Sequence, residues 1–280
     1  MTMKKLTLLF AAFALLVGCG NQPKPANSPE NPTEAQQEAF SVETYKIDDS
    51  RLLGIRGEGE DSYEVRASYQ CEIDIPVTDN PTLYDSICDW FAYQFGSAYD
   101  GDPRDVKSLV NFYRDWALDL EDGEEIEGFD VAHTVKMEEA NERYVTYSFD
   151  NFFETNSAPR AFLDKTYVTF DRKTGQRFTR QMLKADENLE QLVMNELLEQ
   201  YFSDWSEEDL ADLLFFDPED LEERGFFLPE FNDPWILNNL VYFGYGEHEI
   251  ADHCTGQPHC GLPYSTMKPF LTEEGQAFFK

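Results

Sequence analysis

"YEVRASYQCEIDI", residues 63–75, carries an apolar or small side chain at every odd position and a polar one at every even position. Tyr63, Val65, Ala67, Tyr69, Cys71, Ile73 and Ile75 would share one face of an extended chain, with Glu64, Arg66, Ser68, Gln70, Glu72 and Asp74 on the other. Successive side chains of a strand point to opposite faces, so this period of two predicts a strand buried on one side and wet on the other. The next segment changes period. Asn80 and Pro81 open "TLYDSICDWFAYQFG", where Leu83, Ile87, Trp90, Phe91 and Phe95 fall on one helical stripe that Gly96 ends. A half-buried strand followed by an amphipathic helix is the start of a mixed α and β body.

The rest of the chain continues in that manner. Asp102 and Pro103 predict a helix start, and Val106, Leu109, Val110, Tyr113, Trp116, Ala117 and Leu120 keep helical spacing until "EDGEEIEG" stops it. Across residues 129–153, Val131, His133, Val135 and Met137 alternate before "EEANE", and Val145, Tyr147 and Phe149 alternate after it, which predicts a hairpin. His133 lies on the apolar phase and is expected to be a packed, hydrogen-bonded core histidine. "KTYVTFDRKTGQRF" reads as a strand, a turn with Gly175 suited to positive φ, and the strand's return. Residues 186–202 form an amphipathic helix through Leu189, Leu192, Val193, Leu197 and Tyr201. "SEEDLADLLFF" opens with Ser206 and Asp209 in capping positions. The stretch from Trp235 to Tyr264 is rich in aromatic and β-branched residues broken by Gly, as in strands joined by short turns. The expected fold is α+β, antiparallel sheets with packed helices, in two similar-sized subdomains over 40–155 and 156–280.

At the amino end, Lys4 and Lys5 precede an apolar run that ends at Val17. That run is shorter than the ~20 residues a spanning helix needs, so residues 1–18 read as an export signal. Leu16, Val17, Gly18 and Cys19 resemble the bacterial lipoprotein cleavage box, which implies acylation of Cys19 and anchoring of the chain to a membrane by lipid. Residues 19–39 hold four Pro among small and polar residues and predict a flexible tether. The absence of an acidic run after Cys19 leans towards the periplasmic side of an inner or outer membrane rather than the cell surface.

Losing residues 1–18 removes two Lys and no acid, leaving 20 basic against 55 acidic residues, a net charge of about −35. Such an excess excludes nucleic acid and anionic lipid as partners and favours cationic proteins, divalent cations or plain solubility. In an exported chain the four remaining Cys point to disulfides, Cys71 with Cys88 and Cys254 with Cys260. "IADHCTGQPHCGLPY", residues 250–264, leaves a second option open: His248, His253 and His259, with Asp252 or Glu249, are plausible zinc ligands, although their spacing fits no standard pattern.

From about Tyr167 onward the chain resembles the C-terminal domain of RsiV-like, lysozyme-sensing anti-sigma factors, a domain of unknown function also found with a peptidoglycan deacetylase and in lipoproteins of Bacteroides type. The positions that carry the resemblance are Phe170, Asp171, Thr174 and Gly175, then Glu249, Ile250 and Ala251, then Gly256, Leu262, Pro263 and Tyr264. The resemblance implies a binding or sensory module of the cell envelope, with a cationic protein such as a lysozyme as partner. No Gly-x-Ser-x-Gly elbow, phosphate-cradling Gly loop or His-Glu-x-x-His occurs, so neither an enzyme nor a cofactor is expected. Two other readings stand beside it. Trp235, Tyr242, Phe243 and Tyr245 could stack on a glycan or peptidoglycan, and Glu247, Glu249 and Asp252 could serve a divergent hydrolase.

Overall fold

A computed structural model describes residues 40–119, 128–155, 161–206, 209–210, 230–247, 249–251 and 255–280. Cys19, the signal, the tether, His248, Asp252, His253, Cys254 and most of the helix expected after Ser206 lie outside the described residues.

The alternating segment is a strand, β2 (Tyr63–Val77), and its odd residues Val65, Ala67, Tyr69, Cys71 and Ile73 are buried. It pairs antiparallel with β1 (Ser41–Arg56), whose Val42, Tyr45 and Ile47 follow no strict alternation and give no strand signal in the sequence. Two helices then cross over the sheet: α1 (Pro81–Phe95) and α2 (Val106–Leu118). Asn80 caps α1, its Oδ1 accepting from the N–H of Thr82 at 3.1 Å and of Leu83 at 3.3 Å. Asp105, not Asp102, caps α2. Asp102 instead holds a preceding turn, accepting from the backbone N–H of Arg104 and Asp105.

This helical crossover returns the chain to run parallel to β2 as β3 (Phe129–Ala140). A parallel pair requires such a connection, so the sheet is not antiparallel throughout as expected. β4 (Tyr144–Thr155) and β5 (Phe162–Asp171) complete an order of β1-β2-β3-β4-β5. The expected division at 155/156 falls between β4 and β5, which pair from Tyr144↔Asp171 to Phe153↔Phe162. Residues 40–155 and 156–280 therefore share one sheet, and Glu38–Lys280 is a single compact unit.

The chain then adds α3 (Glu187–Gln200), a three-stranded sheet of β6 (Trp235–Leu237), β7 (Leu240–Gly244) and β8 (His259–Pro263), and two short helices, α4 (Tyr264–Met267) and α5 (Glu273–Ala277). β4 shows how the layers stack. Val145, Tyr147 and Phe149 join the core beneath α1 and α2, whereas Tyr144 joins the core of α3 and the small sheet. Thr146, on that second face, donates from Oγ1 to the carbonyl of Ile236 at 2.6 Å, and Thr169 Oγ1 accepts from the N–H of Ile236 at 2.8 Å. Two buried threonines thus satisfy the outward backbone of β6, which would otherwise be costly to bury. Among the described residues, the result is three layers through β4 and β5 and two through β1 and β2.

Cys71, Cys88 and Cys260 are free and buried, so the expected bridge of Cys71 with Cys88 is not formed, and the expected partner of Cys260, Cys254, lies outside the described residues. Each thiol has its own neighbour instead. Cys71 bonds Tyr69, Cys88 bonds Tyr84, and Cys260 Sγ lies 3.7 Å from the carbonyl of Val193 on α3. Alternation along β8 turns Cys260 into the core while His259 faces outward. Burial pushes all three thiols up to about 12, which keeps them protonated and unreactive near neutral pH.

Candidate functional site

The residues that carry the family resemblance resolve into turns and core. In "FDRKTG", Phe170 is buried, and Asp171 Oδ1 accepts from Lys173 N, Thr174 N and Thr174 Oγ1 at 2.7–3.0 Å. Gly175 follows at φ 73° with its N–H on the Asp171 carbonyl. The turn docks on α1, where the Asn80 amide donates to the carbonyls of Arg172 and Lys173. Glu249 Oε2 accepts from Gly246 N and from Asn232 Nδ2, closing a loop, while Ile250, Ala251 and Leu262 are buried. Gly256 has positive φ beneath Tyr201, Pro263 precedes α4, and Tyr264 stacks on Phe279 at 4.4 Å.

Next to these turns lies a cleft of about 510 Å³, walled by α1, the outer edge of β5 and the small sheet with its loops. α1 contributes Trp90, Tyr93 and Gln94, and Tyr93 is 75% exposed. The strand contributes residues 165–168, and the opposite wall contains Asp233, Trp235, Tyr245, Glu247, Gln257 and His259. Trp235 is sandwiched, with Tyr167 stacked on one side at 4.8 Å and Tyr242 at 5.4 Å. Phe243 and Tyr245 are buried. Of the aromatics named from sequence for sugar stacking, these three, Trp235, Phe243 and Tyr245, are core, whereas Tyr93, which was not named, is the open ring.

Glu247 lines one end of the cleft, and Asp164 and Glu249 lie close by, next to Gly246. Glu247 Oε2 accepts from the N–H of Leu163 at 2.9 Å, and Asp164 Oδ1 accepts from Gln257 Nε2 at 2.8 Å. Gly246 lies between Glu249 and Asp164, a Cβ built on it falling 3.3 Å from Glu249 Oε2 and 3.6 Å from Asp164 Oδ1. Burial, then the charges of Glu247 and Glu249, hold the Asp164 carboxyl above its usual range. The neighbouring cation is committed elsewhere: Lys165 pairs with Glu138 at 3.2 Å and Asp150 at 3.3 Å.

Glu247 and Glu249 were legible as a carboxylate group in the sequence; Asp164 was not, because it lies more than eighty positions upstream on another sheet. Among the described residues no group of three or more His, Cys, Asp or Glu could hold a metal. His259 stands outside any such group, its Nδ1 2.9 Å from the carbonyl of Gln257. No helix among the described residues is long and apolar enough to cross a membrane.

No family model and no curated protein matches the chain. Solved structures do. A member of the DUF3298 family from Bacteroides fragilis is 14% identical with a TM-score of 0.58, covering 87% of this chain and 98% of its own. A DUF3298 protein from Pseudomonas aeruginosa is 13% identical with a TM-score of 0.55, covering 84% of this chain and 96% of its own. The α+β fold is therefore shared with proteins of that family.

Proposed function

We propose that this chain is an envelope lipoprotein of the RsiV-like, DUF3298 kind, held by lipid on Cys19 at the periplasmic side of a membrane, that binds a cationic protein of lysozyme type and performs no catalysis. The observation that carries the reading is the acidic end of the cleft. Burial and the charges of Glu247 and Glu249 raise the Asp164 carboxyl above its usual range, so a positive group entering there relieves like-charge repulsion. The 55 acidic residues against 22 basic ones supply a long-range field of the same sign. The solved relatives and the "FDRKTG" and "EIA" turns support the family part of the proposal.

Such attraction is screened by salt. Titration of the purified protein with a C-type lysozyme at low ionic strength should give a complex whose affinity falls roughly tenfold or more when salt is raised to 0.5 M. No complex at low salt removes this partner.

A second reading, a carboxylate hydrolase acting on cell-wall glycan, is favoured by the same raised carboxyl beside Glu247, since an acid and base pair needs two acids driven apart in proton affinity. It expects slow cleavage of isolated peptidoglycan that Asp164→Asn abolishes. Glycan recovered uncut from the wild-type protein eliminates it.

A further inference from the structure

β5 is the outer strand of the five-stranded sheet, so alternate residues turn their N–H and C=O away from β4. The structure covers most of that edge. Leu163 donates its N–H to Glu247, and the side-chain amide of Gln257 pairs with Lys165 as a strand would, accepting from its N–H at 3.0 Å and donating to its carbonyl at 3.0 Å. Further along, the Thr169 carbonyl accepts from Phe178 N at 2.8 Å and Asp171 N donates to the Gln176 carbonyl at 2.9 Å. The residue between these two covered stretches is Tyr167. Among the described residues nothing pairs with its outward backbone groups, and its position lies on the cleft.

The opening is thus one residue wide, closed at one end by Gln257 and at the other by the 176–178 return. α1 bounds one side of it and the small sheet the other. An antiparallel partner residue exchanges both an N–H and a C=O with the residue it faces, which is the pair of groups that Tyr167 offers. A sheet edge left open in this way is normally a hazard, so its protection on both sides but not in the middle marks a place for a ligand.

We propose that Tyr167 is a strand-addition point for an extended, Lys- or Arg-bearing peptide segment, which pairs with its backbone and sets a basic side chain among Asp164, Glu247 and Glu249. The proposal deepens the cationic-partner reading and rests on it for the choice of ligand charge. The backbone pairing selects an extended chain, the carboxylates select the positive side chain, and the two determinants act on one short segment.

The test uses the full-length protein with the peptide Lys-Val-Lys-Val-Lys and its analogue N-methylated at the valines, with chitotetraose as an acetamido glycan. The peptide should bind at low salt and slow hydrogen exchange at Tyr167, and N-methylation should weaken it roughly tenfold. Equal binding of both peptides, unchanged exchange at Tyr167, or binding of chitotetraose alone overturns the assignment. A lysozyme complex without peptide binding refutes strand addition but not the proposed function; peptide binding without a lysozyme complex does the reverse.

Discussion

Replacing Gly175 with Val is expected to lower the free energy of unfolding by about 3 kcal/mol or more. Two effects add. The backbone stands at φ 73°, a left-handed position that costs an L-residue about 1–2 kcal/mol and a β-branched one more. A Cβ would also meet the Thr82 carbonyl oxygen at 2.8 Å and Ser86 Oγ at 3.0 Å. Thr82 belongs to the first turn of α1, whose N–H groups Asn80 already holds, so the backbone there cannot retreat without loosening the cap. Gly59 separates the two effects, because it has φ 63° with nothing within 4 Å of a Cβ. Urea unfolding should show Gly59→Val losing only the conformational share. Equal losses at the two sites would mean that the turn's contact with α1 contributes nothing.

The second large effect is on acid stability and centres on His133. The ring lies against Tyr69, Phe95 and Phe149, with Nδ1 3.2 Å from the Tyr69 hydroxyl. Burial lowers its pKa from 6.5 to about 4, against a smaller opposing contribution from a hydrogen bond with Asn151. The unfolded chain therefore takes up a proton near pH 6.5 that the folded protein refuses until near pH 4. His133 contributes nothing adverse above pH 6.5; as pH falls through that window the unfolded state gains, by up to about 3 kcal/mol at pH 4. Carboxylates also titrate there, and the quantity to measure is the difference between wild type and His133→Asn. The variant should lose less stability between pH 7 and pH 4, by a margin of that order. Parallel pH profiles would show that the histidine is protonated at no cost inside the fold.

His133 also illustrates how far a pattern can be read. Its place on the apolar phase of β3 was enough to set it against the core aromatics, where it is half-buried, because alternation along a strand is a property of a few adjacent residues. The same holds for β2, for the stripe and cap of α1, for the hairpin of β3 and β4, and for α3 with its buried Leu189, Val193 and Leu197. Reading the site was less successful. Trp235, Tyr242, Phe243 and Tyr245 could be read as core or as sugar platforms, because aromatic composition does not say which face a ring shows; packing of the sheets buried Trp235, Phe243 and Tyr245. The cysteines failed for a related reason. Their even number and the export signal argued for bridges, yet Cys71, Cys88 and Cys260 each sit against a core neighbour.

By itself the sequence determined the α+β class, the cap of α1, the strong acidity and the Asp171 to Gly175 turn, since periods, caps and turn residues act over one to five positions. Only the tertiary structure decided the parallel join of β2 and β3, the single body across residue 156, and the cleft where Asp164, Glu247 and Gln257 meet. Those contacts link residues some sixty to ninety positions apart. They exist because apolar layers stack to exclude water, and nothing in the local order of residues states which layer will lie on which.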